Sequence, residues 1–140
     1  MAMKYYAMLN CEIEVDEEKT MQWYANANEW GCDCGHCINF LAVAKRNLLP
    51  NYVLEHLSFF GIPPAKATYV CCLNGDIQKP IYEFSYRIAG RILKDNTSAI
   101  AEQARFCHET YPYGAPGFPE PHFDIEFFTE LPWIIGDTAE

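Results

Sequence analysis

Three cysteines that lie close together are the residues of this sequence best suited to chemistry. Cys32, Cys34 and Cys37 fall within six residues, inside the segment Trp30-Gly-Cys-Asp-Cys-Gly-His-Cys-Ile-Asn39. The C-x-x-C spacing of Cys34 and Cys37 lets two thiolates face one metal ion while backbone N–H groups point at the sulfur atoms. We refer to these three residues as the cysteine knuckle, and we predict that it binds zinc.

A zinc ion takes four ligands, so the cysteine knuckle needs one more from elsewhere in the chain. Cys71 and Cys72 are adjacent in a predicted strand, where successive side chains point to opposite faces, and at most one of them can join the site. We predict Cys72 as the fourth ligand. The other candidates are Cys71, Cys107, His108 and His36.

The same cysteines allow two other interpretations. Reduced cysteine is among the most buried residue types, and Cys37 shares an apolar helical stripe with Phe40, so packed or free thiols are one alternative. The other is a thiol-dependent enzyme or redox protein, in which Cys34 or Cys37 works with a histidine as base. No βαβ unit surrounds the C-x-x-C sequence, and no third orienting group is evident. The first candidates for the base are His36, His56 and His108.

The size and charge of the chain limit its function. It has 140 residues, of which half are apolar, and this is enough to bury the core of one domain spanning residues 1–140. Acidic residues number 19 against 10 basic ones, giving a net charge of −9. That charge repels phosphate, so we expect no direct nucleic-acid binding and favour a protein partner with a basic surface.

Five acidic residues are concentrated in the seven-residue segment Glu12–Glu18. Such a run is usually a solvated face, and Asp16, Glu17 and Glu18 also suit the start of a helix. The alternative is a surface that presents carboxylates to a basic protein, as in an acidic phage or mobile-element inhibitor of a nucleic-acid-binding protein. We keep this alternative as a hypothesis.

The expected compartment is the cytoplasm. No apolar run approaches the roughly 20 residues of a membrane helix, and the first residues lack the features of a secretory signal. The seven cysteines are an odd number, so they cannot all pair within the chain. In a reducing compartment we expect them to be thiols or metal ligands.

Periodicity and turn residues predict a single α+β domain, with an antiparallel sheet of three to five strands and helices packed on one face. Helices are predicted over 16–29, 36–48 and 50–60, the last being the clearest because Gly61 and Pro63 terminate it. A short helix is predicted after Ser98, carrying Ala104 and Cys107 at helical spacing. Strands are predicted over 4–15, 66–73, 81–88 and around 123–127, with an ordered loop over 111–121.

Three groups of residues resemble a family of small uncharacterised bacterial proteins, common in Gram-positive genomes. This family carries a W-x-C-x-C-x-x-C-x-N motif and a C-terminal L-P-W. The likeness extends from Trp30 to Trp133 and implies a shared fold and a metal site at the cysteines, without implying an activity. The matching residues are Trp30, Cys32, Cys34, Cys37 and Asn39, then Leu49, Pro50, Val53, Leu54, Leu57, Gly61, Ile62 and Pro64, and finally Phe127, Leu131, Pro132 and Trp133.

From these observations we predict a non-enzymatic, zinc-stabilised cytoplasmic protein that acts by binding another macromolecule. A thiol-dependent enzyme is the principal alternative. A metal assay separates the two, because a structural zinc site binds close to one ion per chain and leaves no fast-reacting thiol.

Overall fold

The computed structural model describes residues 3–95, 103–108 and 111–136. These residues form an α+β fold, which confirms the predicted class. The three helices are α1 (Glu17–Asn26), α2 (Gly35–Lys45) and α3 (Asn51–Phe60). The six strands are β1 (Lys4–Met8), β2 (Cys11–Val15), β3 (Tyr69–Cys72), β4 (Ile81–Asp95), β5 (Ala104–Cys107) and β6 (His122–Glu130).

Strand β4 is the central strand of the sheet. Its first nine residues pair with β6, its residues 82–85 pair with β3 on the other side, and its last residues pair with β2. The described strands are all paired antiparallel, in the order β1-β2-β4-β6-β5 with β3 also beside β4. Gly90 lies where β2 begins to pair with β4, and a Cβ atom there would come within 2.0 Å of the Glu14 carbonyl oxygen. Only glycine therefore fits this position.

Between β3 and β2, one edge of β4 has no strand partner among the described residues, and helix α1 supplies the missing hydrogen bonds. The Tyr24 hydroxyl donates to the carbonyl oxygen of Arg87 (2.7 Å), and the Thr20 hydroxyl accepts from the N–H of Ala89 (3.0 Å). Asp16 caps the start of α1 by accepting from the N–H of Lys19 (3.0 Å). Buried backbone groups need such partners, so α1 completes the sheet as well as the core.

Helices α2 and α3 pack on the apolar face of the sheet. Phe40 of α2 meets Phe84 of β4 with ring centroids 4.9 Å apart, and Phe60 of α3 meets Phe106 of β5 at 6.1 Å. The α3 stripe is placed as predicted, with its Leu57 fully buried and Gly61 in the left-handed conformation that ends the helix. This arrangement brings the start of α2, and with it the cysteine knuckle, close to β3 and β4.

Two sequence predictions of secondary structure were wrong. Residues 4–15 form a hairpin and not one strand, because Leu9 and Asn10 adopt positive φ angles of 52° and 60° and reverse the chain. The predicted helix containing Ala104 and Cys107 is strand β5 at those residues, because pairing with β6 buries Ala104 and Phe106 on the apolar face. Its beginning, from Ser98, lies outside the described residues. These two differences raise the described sheet to six strands, where three to five were expected.

The opposite face of the sheet is polar and partly buried. Arg87 and Asp124 form an ion pair with Nε and Oδ1 2.8 Å apart, and both side chains are almost fully buried. Glu126, also buried, pairs with Arg105 at 2.8 Å. A side-chain hydrogen bond with Glu126, together with burial and the Glu126 charge, raises the pKa of Glu83 to about 7 although Arg105 opposes the shift. The Glu83 carboxyl is therefore protonated below neutral pH.

The stability of the fold should consequently depend on pH through Glu83. A carboxyl pKa of about 7 in the native state, above the ordinary 4.5, contributes stability that is full below pH 4.5 and lost as the pH rises through 7. Glu83→Gln should raise the free energy of unfolding at pH 8 by about 1–2 kcal/mol and have little effect at pH 4.5. The expected gain is smaller than the pKa shift alone would give, because the side chain is partly exposed to solvent. Urea unfolding at both pH values measures this. The exposed Glu130→Gln is the control, and an equal effect of both changes at pH 8 would contradict the assignment.

Candidate metal centre

The cysteine knuckle lies at the N-terminus of α2. Cys34 is the N-cap residue, and its sulfur accepts a hydrogen bond from the backbone N–H of Cys37 at 3.4 Å. A sulfur in this position replaces the usual hydroxyl or carboxylate of an N-cap and lies at the positive end of the helix dipole. The local sequence therefore favours a negatively charged sulfur here, which is the form that binds metals.

The three Sγ atoms of the cysteine knuckle all lie within 4.8 Å of one another. In a tetrahedral site with Zn–S bonds of about 2.3 Å, the sulfur atoms are about 3.8 Å apart, so the group needs only a small contraction to bind one ion. Cys32 and Cys34 are exposed and Cys37 is buried. The group can therefore hold a metal ion through the buried thiolate of Cys37 and the two exposed thiolates, whose side chains have room to rotate.

The thiols of Cys34 and Cys37 have opposite pKa shifts. Burial opposes ionisation of Cys34, but hydrogen bonds from the backbone of Cys37 and His36 and from the neighbouring thiols together lower its pKa. Burial raises the pKa of Cys37 well above its usual range, although the nearby Trp30 indole N–H acts in the other direction. A bound cation would favour both thiolates, because metal ligation deprotonates thiols.

Cys72 lies on the sheet face that carries α2. It pairs across β3 and β4 with Tyr82, whose hydroxyl donates to the carbonyl oxygen of His36 (2.7 Å) inside the knuckle sequence. Burial, with the nearby charges of Cys72, Cys37 and Cys34 acting in the same direction, raises the pKa of Tyr82 to about 12. The Cys72 sulfur is outside the group of three and contacts Asn74 Oδ1 at 3.6 Å. Its assignment as fourth ligand stays a prediction.

The other candidates for the fourth ligand are placed differently. Cys71 pairs with Glu83 and so faces the opposite side of the sheet from Cys72. Cys107 is on β5, separated from β3 by β4 and β6, and burial raises its pKa to about 12. His108 follows it and is exposed. His36 packs against the Trp133 ring at 5.4 Å. Within the described residues, none of these four side chains joins the three knuckle sulfurs.

Asn39 is a structural residue of the site whose role the sequence did not reveal. Its side chain is fully buried, and its Nδ2 donates to the carbonyl oxygen of Pro132 (3.0 Å) and to the Tyr82 hydroxyl (3.3 Å). Its Oδ1 accepts from the N–H of Ile134 at 2.7 Å. These bonds hold the segment after β6 against the first turns of α2. The sequence feature that could have indicated this role is a polar amide side chain placed between the core residues Cys37 and Phe40.

Removing this amide should destabilise the whole region. Asn39→Ala leaves the Pro132 carbonyl and the Ile134 N–H without partners, and we expect a loss of about 2–5 kcal/mol in urea unfolding. The matched control is Asn26→Ala, because Asn26 is exposed and its side-chain amide donates to Gln22 within its own helix (3.1 Å). Hydrogen exchange of the Ile134 amide should accelerate in the first variant alone. Equal losses of stability in both variants would refute the assigned role.

The acidic segment Glu12–Glu18 has many partners within the chain. Glu12 accepts from the Tyr5 hydroxyl (2.7 Å), and Glu14 pairs with Arg91 (3.2 Å). Glu17 accepts from the Tyr6 hydroxyl (2.6 Å) and pairs with Lys4 (3.0 Å), while Asp16 is the buried cap of α1. These contacts give most of the acids a local role. The hypothesis of an acidic inhibitor surface is not tested by them.

A cleft of about 730 Å³ adjoins the cysteine knuckle. We call it the aromatic cleft, because Trp23, Trp30, Tyr111 and Tyr113 line it, together with Glu29 and Cys32 at the knuckle end. The connection between α1 and α2 forms one wall, and the loop before β6 forms the other. The sequence predicts the loop over 111–121, but it gives no sign that Tyr111 of this loop lies against Trp30.

No protein-family model, curated protein or solved structure matches this chain. The likeness to the family with the W-x-C-x-C-x-x-C-x-N motif therefore stays a prediction. Among the described residues, no helix is both long enough and apolar enough to cross a membrane.

Proposed function

We propose that this chain is a zinc-binding, non-enzymatic protein of the cytoplasm that acts by binding another macromolecule. The observation that carries the metal assignment is the convergence of three thiol sulfurs within 4.8 Å at the start of a helix. Thiolates are soft ligands, and clusters of them select zinc among the common divalent ions of a reducing compartment.

The role proposed for zinc is structural. Residues 27–34 contain no helix or strand, yet they carry two of the three knuckle thiols and form a wall of the aromatic cleft. An ion bound to Cys32, Cys34 and Cys37 would join this irregular segment to the first turn of α2. Metal-binding energy of this kind becomes folding energy for the segment that supplies the ligands.

Cys72 is the proposed fourth ligand. It lies on the same sheet face as Tyr82, whose hydroxyl contacts the backbone of the knuckle sequence. The Cys72 thiol makes a long contact with Asn74 (3.6 Å). A rotation of this side chain and closure of the knuckle would complete a Cys₄ site. Structural zinc sites are closed in this way, whereas catalytic sites keep one position open for water or substrate.

The proposed partner is a protein with a basic surface. The net charge of −9 disfavours nucleic acid and favours association with positive surfaces, in which opposite charge accelerates encounter.

The metal assignment is tested on protein purified without added metal. We expect about one zinc per chain by elemental analysis, and intense thiolate-to-metal absorption when Co²⁺ replaces it. Cys34→Ser should lower the metal content and reduce the free energy of unfolding by several kcal/mol, because binding and folding are coupled. A chelator should lower the melting temperature of the unaltered protein and leave that of the variant unchanged.

The adjacent cysteines of β3 supply a matched pair of variants. Cys72→Ser should weaken Co²⁺ binding and reduce the thiolate absorption by about a quarter, whereas Cys71→Ser should do neither, because its side chain faces the other side of the sheet. Identical spectra for Cys72→Ser and the unaltered protein would exclude the fourth ligand. If the purified protein contains no metal and its melting temperature does not change when chelator is added, the zinc site itself is excluded.

A second candidate function is thiol–disulfide exchange. The observation that favours it is the C-x-x-C arrangement itself: Cys34 is exposed at a helix N-cap, and the buried Cys37 follows one turn later. In such an arrangement the exposed thiolate attacks a substrate disulfide, and the buried thiol then resolves the mixed disulfide, leaving the pair oxidised and the substrate reduced.

This candidate predicts a trapped intermediate. Cys37→Ser would retain the attacking thiol and lose the resolving one, so a mixed disulfide through Cys34 should accumulate with a disulfide-containing substrate and be detected by mass spectrometry. Cys34→Ser is the control and should trap none. If zinc is structural, we expect the metal-loaded protein to form no such adduct, and its three knuckle thiols to resist alkylation until chelator is added.

A further inference from the structure

The aromatic cleft has walls of rings set at steep angles to one another. The centroids of Trp30 and Tyr111 are 6.5 Å apart with planes at 65°, and those of Tyr111 and Tyr113 are 5.8 Å apart at 74°. Tyr113 is 79% exposed, although burial of such a ring would be favourable. Aromatic residues that line a space from several sides can bind organic cations through their rings.

The Trp23 indole and the loop backbone that carries the tyrosines are fixed by their neighbours. An Arg87 guanidinium nitrogen donates to the carbonyl oxygen of Tyr111 (3.0 Å), and the Trp23 indole donates to that of Pro116 (3.1 Å). Gly114 approaches β3 so closely that a Cβ atom there would lie 1.6 Å from the Thr68 carbonyl oxygen. The backbone of the loop is therefore in place before any ligand arrives, which reduces the entropy lost on binding.

The lining of the cleft is negatively charged. Glu29 carries this charge, and no lysine or arginine is among the described lining residues. The Glu29 carboxylate pairs with Lys45 at 3.2 Å, with both side chains about half exposed. An exposed pair of this kind contributes little and exchanges readily, so the carboxylate is available to an incoming cation.

We propose that the aromatic cleft binds the guanidinium group of an arginine side chain on a partner protein. Arginine suits it better than lysine, because a guanidinium is planar, weakly hydrated and able to stack on a ring face while it donates two hydrogen bonds to a carboxylate. The excess of negative charge on the chain favours the same partner. The identity of the ligand as part of a protein rests on the proposed function, but the cation site itself requires no metal.

The competing explanation is that the cleft simply buries any apolar group. A neutral isostere separates the two, since citrulline has the shape of arginine without its charge. The probes are the blocked tripeptides acetyl-Gly-Arg-Gly-amide and acetyl-Gly-citrulline-Gly-amide. Binding is followed by NMR on the indole N–H signals of the full-length protein, where Trp133 serves as an internal reference because its indole N–H donates to Gly136 outside the cleft.

We expect the arginine peptide to shift the Trp23 and Trp30 signals and to bind about tenfold more tightly than the citrulline peptide. Tyr113→Ala and Glu29→Gln should each weaken arginine binding about threefold or more. Tyr5→Ala is the matched control, because Tyr5 is an exposed tyrosine (57%) on β1 that does not line the cleft, and it should leave binding unchanged.

Equal binding of the two peptides would overturn the proposal, as would shifts of Trp133 as large as those of Trp23 and Trp30, or unchanged binding by Tyr113→Ala. The zinc content of the same sample is measured independently. A zinc-loaded protein that fails to prefer arginine refutes only the cation site. A zinc-free protein that prefers arginine refutes only the metal site.

Discussion

Strand β4 is the constraint on which both candidate sites depend, because its alternate side chains serve opposite faces of the sheet. Tyr82 and Phe84 point to the apolar face. Phe84 packs against Phe40 of α2, and the Tyr82 hydroxyl donates to the backbone of the cysteine knuckle. Arg87 points to the polar face, where it binds Asp124 and the loop that carries Tyr111. A shift of one residue in the register of β4 would exchange the two sets, since side chains alternate with a period of two. The pairing of β4 with β3 and β6 therefore fixes the knuckle and the cleft together.

The buried Arg87–Asp124 pair illustrates the cost of this arrangement. Removing two charges from water is expensive, and a buried ion pair is seldom a net source of stability. Here the guanidinium also satisfies the Tyr111 carbonyl group, so the pair determines where the loop lies on the sheet. We infer that the polar face contributes mainly specificity of structure, whereas burial on the apolar face contributes most of the stability.

Local chemistry made α3, the β3–β4 hairpin and the cysteine knuckle predictable. Gly61 after an apolar stripe and the Asn74-Gly75-Asp76 turn act over a few residues, and the sequence shows them directly. Long-range pairing explains the failures. Ala104–Cys107 is a strand because β6 lies beside it, and no periodicity within four residues could have distinguished this from a helix turn. The role of Asn39 depends on Pro132 and Ile134, more than ninety residues away.

Trp30 connects the two candidate sites physically. Its ring lines the aromatic cleft, and its indole N–H lies near the buried sulfur of Cys37. An ion at the knuckle would fix this ring, and a cation stacked on the ring would in turn restrain the segment that supplies the thiols. Coupling between two binding events is reciprocal, so any gain in cation affinity on metal loading must appear as an equal gain in metal affinity on cation binding. Trp30 and Cys32 both line the cleft, so they are the residues through which a structural metal at the knuckle would set the affinity of the adjoining recognition site.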